Sequence, residues 1–165
     1  MKHLVLILYL LCSSNIFAQE INEKYHGPKT GIKGFIESGY TIGVGKNHEG
    51  RISLLATVGY QFNPYLFIGF GSGENYFHDS KHYGIPIYGA IRANLLKTWV
   101  TPYIDAKIGT SIADVKGFFF RPSIGCRFGA QNNTAFTLSI GYEYQDLRDS
   151  DVSLGGIAIK AGFDF

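Results

Sequence analysis

At 165 residues the chain has room for one domain, and a formal charge of only +2 gives no bulk basic surface of the kind nucleic acid requires. Aromatic residues reach 15% and glycine occurs 21 times, against 17% charged residues; this favours strands and turns over helices.

Residues 1–18 read as a secretory signal peptide. Lys2 and His3 precede an apolar run, Leu4–Leu11, that is too short to cross a bilayer as a helix, and small polar residues lead on to Ala18. Cys12 raises a lipoprotein reading, but Leu11 before it lacks the small side chain such processing favours. Cleavage after Ala18 leaves 147 residues with a charge of +1 and Cys126 as the remaining thiol. Such an exported chain has no internal disulfide and must hold together by backbone pairing and packing. Residues 19–33 are polar, contain Gly27-Pro28 and Gly31, and read as an irregular lead-in.

From residue 34 to residue 165 apolar and polar positions alternate almost without pause. In 34–45, Ile36, Tyr40, Ile42 and Val44 oppose Glu37, Gly39, Thr41 and Gly43. In 51–62, Ile52, Leu54, Ala56, Val58, Tyr60 and Phe62 oppose Ser53, Thr57, Gly59 and Gln61. Segments 65–73, 84–95 and 102–112 repeat the pattern, with Arg92, Asp105 and Lys107 on their polar faces. Segments 118–129 and 135–145 place Arg121, Arg127 and Glu143 on the same kind of face, and the closing stretch adds Lys160 and Asp164. Period two over such lengths predicts eight half-buried strands. Asn63-Pro64 is a tight connection and residues 96–101 and 130–134 are short, whereas 72–83 and 146–152 read as longer polar loops. This is the rhythm of a meander that crosses a membrane, with short turns at one end and loops at the other.

Alternation fits two opposite arrangements. A soluble secreted β-barrel would point its apolar face inward around a small apolar ligand. A membrane barrel would point that face at lipid and fill its lumen with polar and glycine positions. The second reading makes Glu37, Arg92, Asp105, Lys107, Arg121, Arg127, Glu143, Lys160 and Asp164 a lumen network. Tyr40, Tyr60, Tyr65, Trp99, Tyr142 and Tyr144, placed toward strand ends, become interface aromatics. The fold class expected is all-β, an eight-stranded antiparallel up-and-down transmembrane β-barrel with its apolar face to lipid.

The signal peptide, the strand meander and the closing "GIAIKAGFDF" resemble the small outer-membrane barrels of Gram-negative bacteria, of the OmpA and OmpX type. The resemblance is architectural and covers residues 34–165. It implies an outer-membrane location, contact with outer-membrane lipid and lipopolysaccharide, and insertion by the outer-membrane assembly machinery. Ile157, Ile159, Phe163 and Phe165 match the alternating, aromatic-ended strand that this machinery recognises in those families. The expected state is a monomer with a plugged lumen and no cofactor, and with a structural or loop-display role in which the loops reach an extracellular ligand.

One stretch carries chemistry-bearing residues. His78, Asp79 and Ser80 bring a base, a carboxylate and a nucleophile together, as acyl transfer requires, and "HDS" is similar to the His-x-Ser pair of outer-membrane lipid A deacylases. In that family the pair lies late in the chain, on the lipid-facing wall; here it falls mid-chain in a polar loop. His78 and His82, with His48, are the candidate ligands for Zn²⁺ or Cu²⁺. The alternative to a non-enzymatic barrel is therefore a lipid A-modifying acyl hydrolase or transferase using residues 75–84. The glycine-rich 69–73 lacks the following Lys-Ser/Thr and helix of a phosphate loop.

Overall fold

The computed structural model describes residues 27–45, 49–78, 80–130, 133–146 and 153–165. The signal-peptide reading, Asp79 and His48 lie outside the described residues. Eight strands follow in order: β1 (Gly31–Val44), β2 (Arg51–Asn63), β3 (Leu66–Phe77), β4 (Tyr83–Asn94), β5 (Val100–Ala113), β6 (Gly117–Gly129), β7 (Ala135–Asp146) and β8 (Ser153–Asp164). Each pairs antiparallel with its neighbours in sequence, and β8 returns to pair with β1, so the sheet is a closed barrel.

The seam between β1 and β8 runs from Phe35 opposite Asp164 to Val44 opposite Gly155. Two backbone hydrogen bonds between Gly34 and Phe165, at 2.8 and 3.0 Å, extend it by one position. The Phe165 ring lies over Gly34, where a Cβ would collide with it. Pro86 and Pro122 lack an N–H to donate, and the pairing lapses beside each: between Ser72↔Ile87 and Asn75↔Gly84, and between Phe120↔Tyr144 and Ser123↔Gly141.

The faces are inside out relative to a soluble protein. On the outer parity Ile42, Ile91, Ile108 and Ile140 are 48 to 55% exposed, while Glu37, Lys107, Arg121 and Glu143 are at most 1% exposed. The chain therefore does not adopt the inverted arrangement with an apolar cavity. Lipid-facing aromatics gather near both ends. Tyr60 packs edge-on against Phe62, and Phe136 meets Phe163 at a tilt, toward the turn end that holds residues 64–65, 95–99 and 130–134. Tyr76 meets Tyr83, and Phe118 meets Tyr144, toward the opposite, loop end. Tyr65 and Trp99 sit at the turn end; Tyr40 and Tyr142 reach toward the loop end, their hydroxyls over the backbones of Gly50 and Gly155.

Three expectations are corrected. β1 begins at Gly31, three residues inside the expected lead-in, and so carries Lys33 into the wall. The long loop expected at 72–83 is a hairpin connection of five residues, 78–82, because β3 runs on to Phe77 and β4 starts at Tyr83. The connection between β5 and β6, expected at residues 113–117, is shorter, 114–116. Polar residues such as Asn75 belong to the strand here because the surface they meet is a polar lumen, so polarity did not mark a loop. The difference in length between the two ends is correspondingly slight.

Glycines on the inner face give room to rings. Phe67 lies over Gly59 and Gly69, and Tyr103 over Gly125. A Cβ at Gly59 would also press on the carbonyl of Ile68 and the Cα of Gly69, which are wall backbone and cannot give way. Gly59→Val is expected to destabilise the barrel by about 3 kcal/mol. Outward-facing Gly89, where a Cβ meets nothing nearer than 3.9 Å, should accept alanine without loss. Urea titration followed by the compact, SDS-resistant band on unboiled gels measures both.

Candidate functional site

The lumen holds the densest chemistry of the molecule. Because side chains alternate along each strand, every other residue of all eight strands projects into it, and the charged ones meet there. Glu37 of β1 is the hub of the central group. Its Oε2 lies 2.8 Å from Lys107 Nζ, and its Oε1 lies 3.4 Å from both Arg92 Nη2 and Arg121 Nη2. Asp105 accepts from Lys107 at 2.6 Å and from Arg92 Nε at 3.3 Å. Asp164 receives Arg92 Nη1 at 3.3 Å and Arg127 Nε at 3.0 Å.

A second group forms nearer the loop end. Glu143 accepts from Arg51 Nε at 2.9 Å and from Asn75 at 3.3 Å, and its other oxygen lies 3.1 Å from Lys160 Nζ. Arg51 also donates to the Glu143 carbonyl at 3.1 Å. The nine residues that the sequence places in the lumen thus fall into two carboxylate-centred groups. Arg51 and Lys33 complete the buried charge and were missed. Arg51 opens β2 on the parity of Ser53 and Thr57, a phase that would have revealed it; Lys33 fell in the stretch read as lead-in.

Apolar and aromatic side chains fill the space between the charges. The Arg92 guanidinium lies 3.9 Å from the centre of the Phe35 ring and 4.4 Å from that of Tyr103. Leu55, Tyr88, Ala90 and Phe119 form an apolar layer, and Thr57 and Tyr88 share a hydrogen bond at 3.0 Å. At the loop end Phe77, Val115 and Leu154 close together. Val115 belongs to the β5–β6 connection, which is tied down by Val115 N–H to the Tyr83 carbonyl and by the Gln145 amide to the Val115 carbonyl. Two nitrogens of Arg121, Nε and Nη1, have no acceptor among the described residues, although the side chain is fully buried.

Among the described residues of the 75–84 stretch, His78, Ser80 and His82 are not brought together into a site. Asn75 and Phe77 point into the lumen, while His78, Ser80, Lys81 and His82 stand exposed in the hairpin. The hairpin is fixed by its backbone: Phe77 N–H donates to the His82 carbonyl, His78 N–H to the Gly50 carbonyl, and Ser80 N–H to Glu49 Oε1 at 2.6 Å. No side-chain bond joins His78 to Ser80 among the described residues, so the pair lacks the nucleophile–base contact that acyl transfer needs. No cluster of three metal-type side chains occurs among the described residues.

No protein-family model matches the chain, and neither does any curated protein. Solved structures do match. Neisserial surface protein A (NspA) superposes with a TM-score of 0.67 at 10% identity, covering 82% of this chain and 97% of that one. The N-terminal β-barrel domain of Pseudomonas aeruginosa OprF gives 0.52 at 14% identity, over 83% and 100% of the two chains. A de novo designed transmembrane β-barrel gives 0.50 at 17% identity, over 84% and 97%. The chain has the eight-stranded transmembrane β-barrel fold. At these identities the likeness is one of architecture, the closed eight-stranded barrel.

Glu37 serves three cations, so neutralising it strands all of them. Glu37→Gln is expected to cost about 3–5 kcal/mol, the scale for breaking a buried pair from one side. In a Lys107→Met background the same change should cost about 1–3 kcal/mol less, because one of the stranded charges is already gone. Equilibrium unfolding in detergent micelles of the wild type, both single variants and the double variant measures the coupling.

Proposed function

We propose that the protein is an outer-membrane barrel of a Gram-negative bacterium that acts through its exterior and its loop end, as an envelope-structural or surface-display protein, and neither conducts solutes nor performs catalysis. What supports this reading is the crowding of the lumen, where two carboxylate-centred ion-pair groups, the Leu55–Tyr88–Ala90–Phe119 layer and the Phe77–Val115–Leu154 cluster lie along the barrel. Buried charges paired this densely are costly to pull apart, which favours a plug over an open path.

Membrane residence is supported by the exposed Ile and Leu wall and by aromatics near both ends, where amphipathic rings partition to the headgroup level. The partners that follow from that residence are outer-membrane lipid, lipopolysaccharide and the assembly machinery, which would read Ile157, Ile159, Phe163 and Phe165. What remains to meet other molecules is the loop end, formed by the connections after β1, β3, β5 and β7. No arrangement of His78 and Ser80 favours the lipid-modifying reading over this one.

An epitope inserted between residues 147 and 152 should label on intact cells, and the purified protein should give no steady conductance steps in planar bilayers. Ser80→Ala should leave the lipid A profile of the cells unchanged by mass spectrometry. Labelling only after permeabilisation would refute surface display. Reproducible ion-selective steps would refute the plug, and a changed lipid A profile would restore the enzyme.

A further inference from the structure

The lumen buries more positive than negative charge. Among the described residues, seven basic side chains lie there against four carboxylates. Uncompensated charge away from water is among the costliest arrangements a fold can hold, so the location of the surplus matters. At the turn end it collects around a chamber of about 10 Å³, room for one water-sized body. Lys33, Arg92 and Arg127 line this chamber with a single carboxylate, Asp164. Both oxygens of Asp164 are already engaged, one by Arg92 and the other by Arg127. Lys33 is 6% exposed and donates to the Asn133 carbonyl at 2.7 Å, and among the described residues it forms no salt bridge.

The chamber is covered from outside. Pro28 is buried and forms part of its lining. The segment that carries Pro28 is held by the Lys29 N–H, which donates to Asn133 Oδ1 at 3.0 Å, and by Gly27, packed beside Pro64 and Lys97. The strap thus touches all three turns at this end of the barrel.

We propose that this chamber is a binding site for a single halide-sized monovalent anion, chloride being the physiological candidate, held among Lys33, Arg92 and Arg127 beneath Pro28. Size selects the class, since a space for one water-sized body excludes phosphate, sulfate and organic carboxylates. Charge selects the sign: the one carboxylate lining the chamber, Asp164, has both oxygens engaged by Arg92 and Arg127, and while Arg92 also reaches Glu37 and Asp105, Lys33 has no ion pair among the described residues. The anion gives Lys33, which shares the chamber with Asp164 but forms no salt bridge among the described residues, a directly paired counter-charge, and it fastens the strap to the turns beneath it.

The test uses the folded mature protein in detergent micelles at constant ionic strength, with sodium chloride replacing sodium gluconate. The unfolding rate, read from loss of the compact band, should fall in a saturable way, by roughly tenfold when chloride reaches about ten times its dissociation constant. Bromide should replace chloride and sulfate should not. Lys33→Met should abolish the response, and Lys116→Met, an exposed lysine at the opposite end, should retain it. Equal rates in chloride and gluconate, or a halide response that survives in Lys33→Met, would overturn the proposal. Should Lys33→Met fail to fold, chlorine-35 NMR of the wild type decides: excess line broadening that bromide competes away supports the site, and its absence rejects it.

Discussion

A strand in hydrocarbon has no water to satisfy its backbone, so every N–H and C=O along it must find a partner within the protein. Pairing of β8 with β1 meets that demand for the two strands that would otherwise be edges, and much else follows from it. Closure fixes which parity faces outward. It forces inward-facing side chains into a narrow cylinder, and it brings residues far apart in the chain, Glu37 with Arg121 or Arg51 with Glu143, within bonding distance. The glycines under Phe67 and Tyr103 answer this narrowness, since a Cβ at Gly59, Gly69 or Gly125 would come within 2.6 to 2.8 Å of the ring above it.

The lumen is consequently an electrostatic interior with a bilayer outside it. Its carboxylates act as hubs, each meeting two or three cations, and the aromatic rings around them exclude water and cradle the Arg92 guanidinium. A core built this way draws its specificity from geometry. Apolar side chains tolerate a shifted neighbour, whereas a fully buried carboxylate shared by three donors does not. The outer wall is the reverse, a nearly interchangeable set of Ile, Leu and Val facing a fluid.

Much of this was legible because a strand wall has period two. The phase of Ile42, Ile91 and Ile140 against Glu37, Arg92 and Glu143 orients every strand once one face is assigned to lipid, and the assignment needs little beyond aromatics near strand ends. The misreadings have a common origin. In water, a polar residue such as Asn75 near a strand end or a lone Arg51 at the start of a strand signals a loop or a boundary; against a polar lumen such residues are interior. Loop length was misjudged for that reason, and Arg51 and Lys33 were left out of the network. Val115 was illegible on other grounds. It lies in a three-residue connection with no periodicity to read, and its burial depends on Phe77 and Leu154 from strands on other parts of the ring.

The seam has one more consequence. Its ladder, ten paired positions from Phe35 to Val44, is as continuous as those of the hairpins, although no local turn joins its strands. Hydrogen bonding therefore makes the β1–β8 junction equivalent to its seven siblings, and the lumen depends on the cyclic order of strands, whichever connection is left open. Gly34 and Phe165 already lie side by side at the turn end. A circularly permuted chain, joined there by a short linker and opened at one of the loop-end connections, satisfies the same ring of pairings. Its first and last strands would meet across what is now a hairpin, with every ion pair of the interior intact. What would change is the route by which the chain finds the ring, because a contact now made across the whole length of the chain would become local.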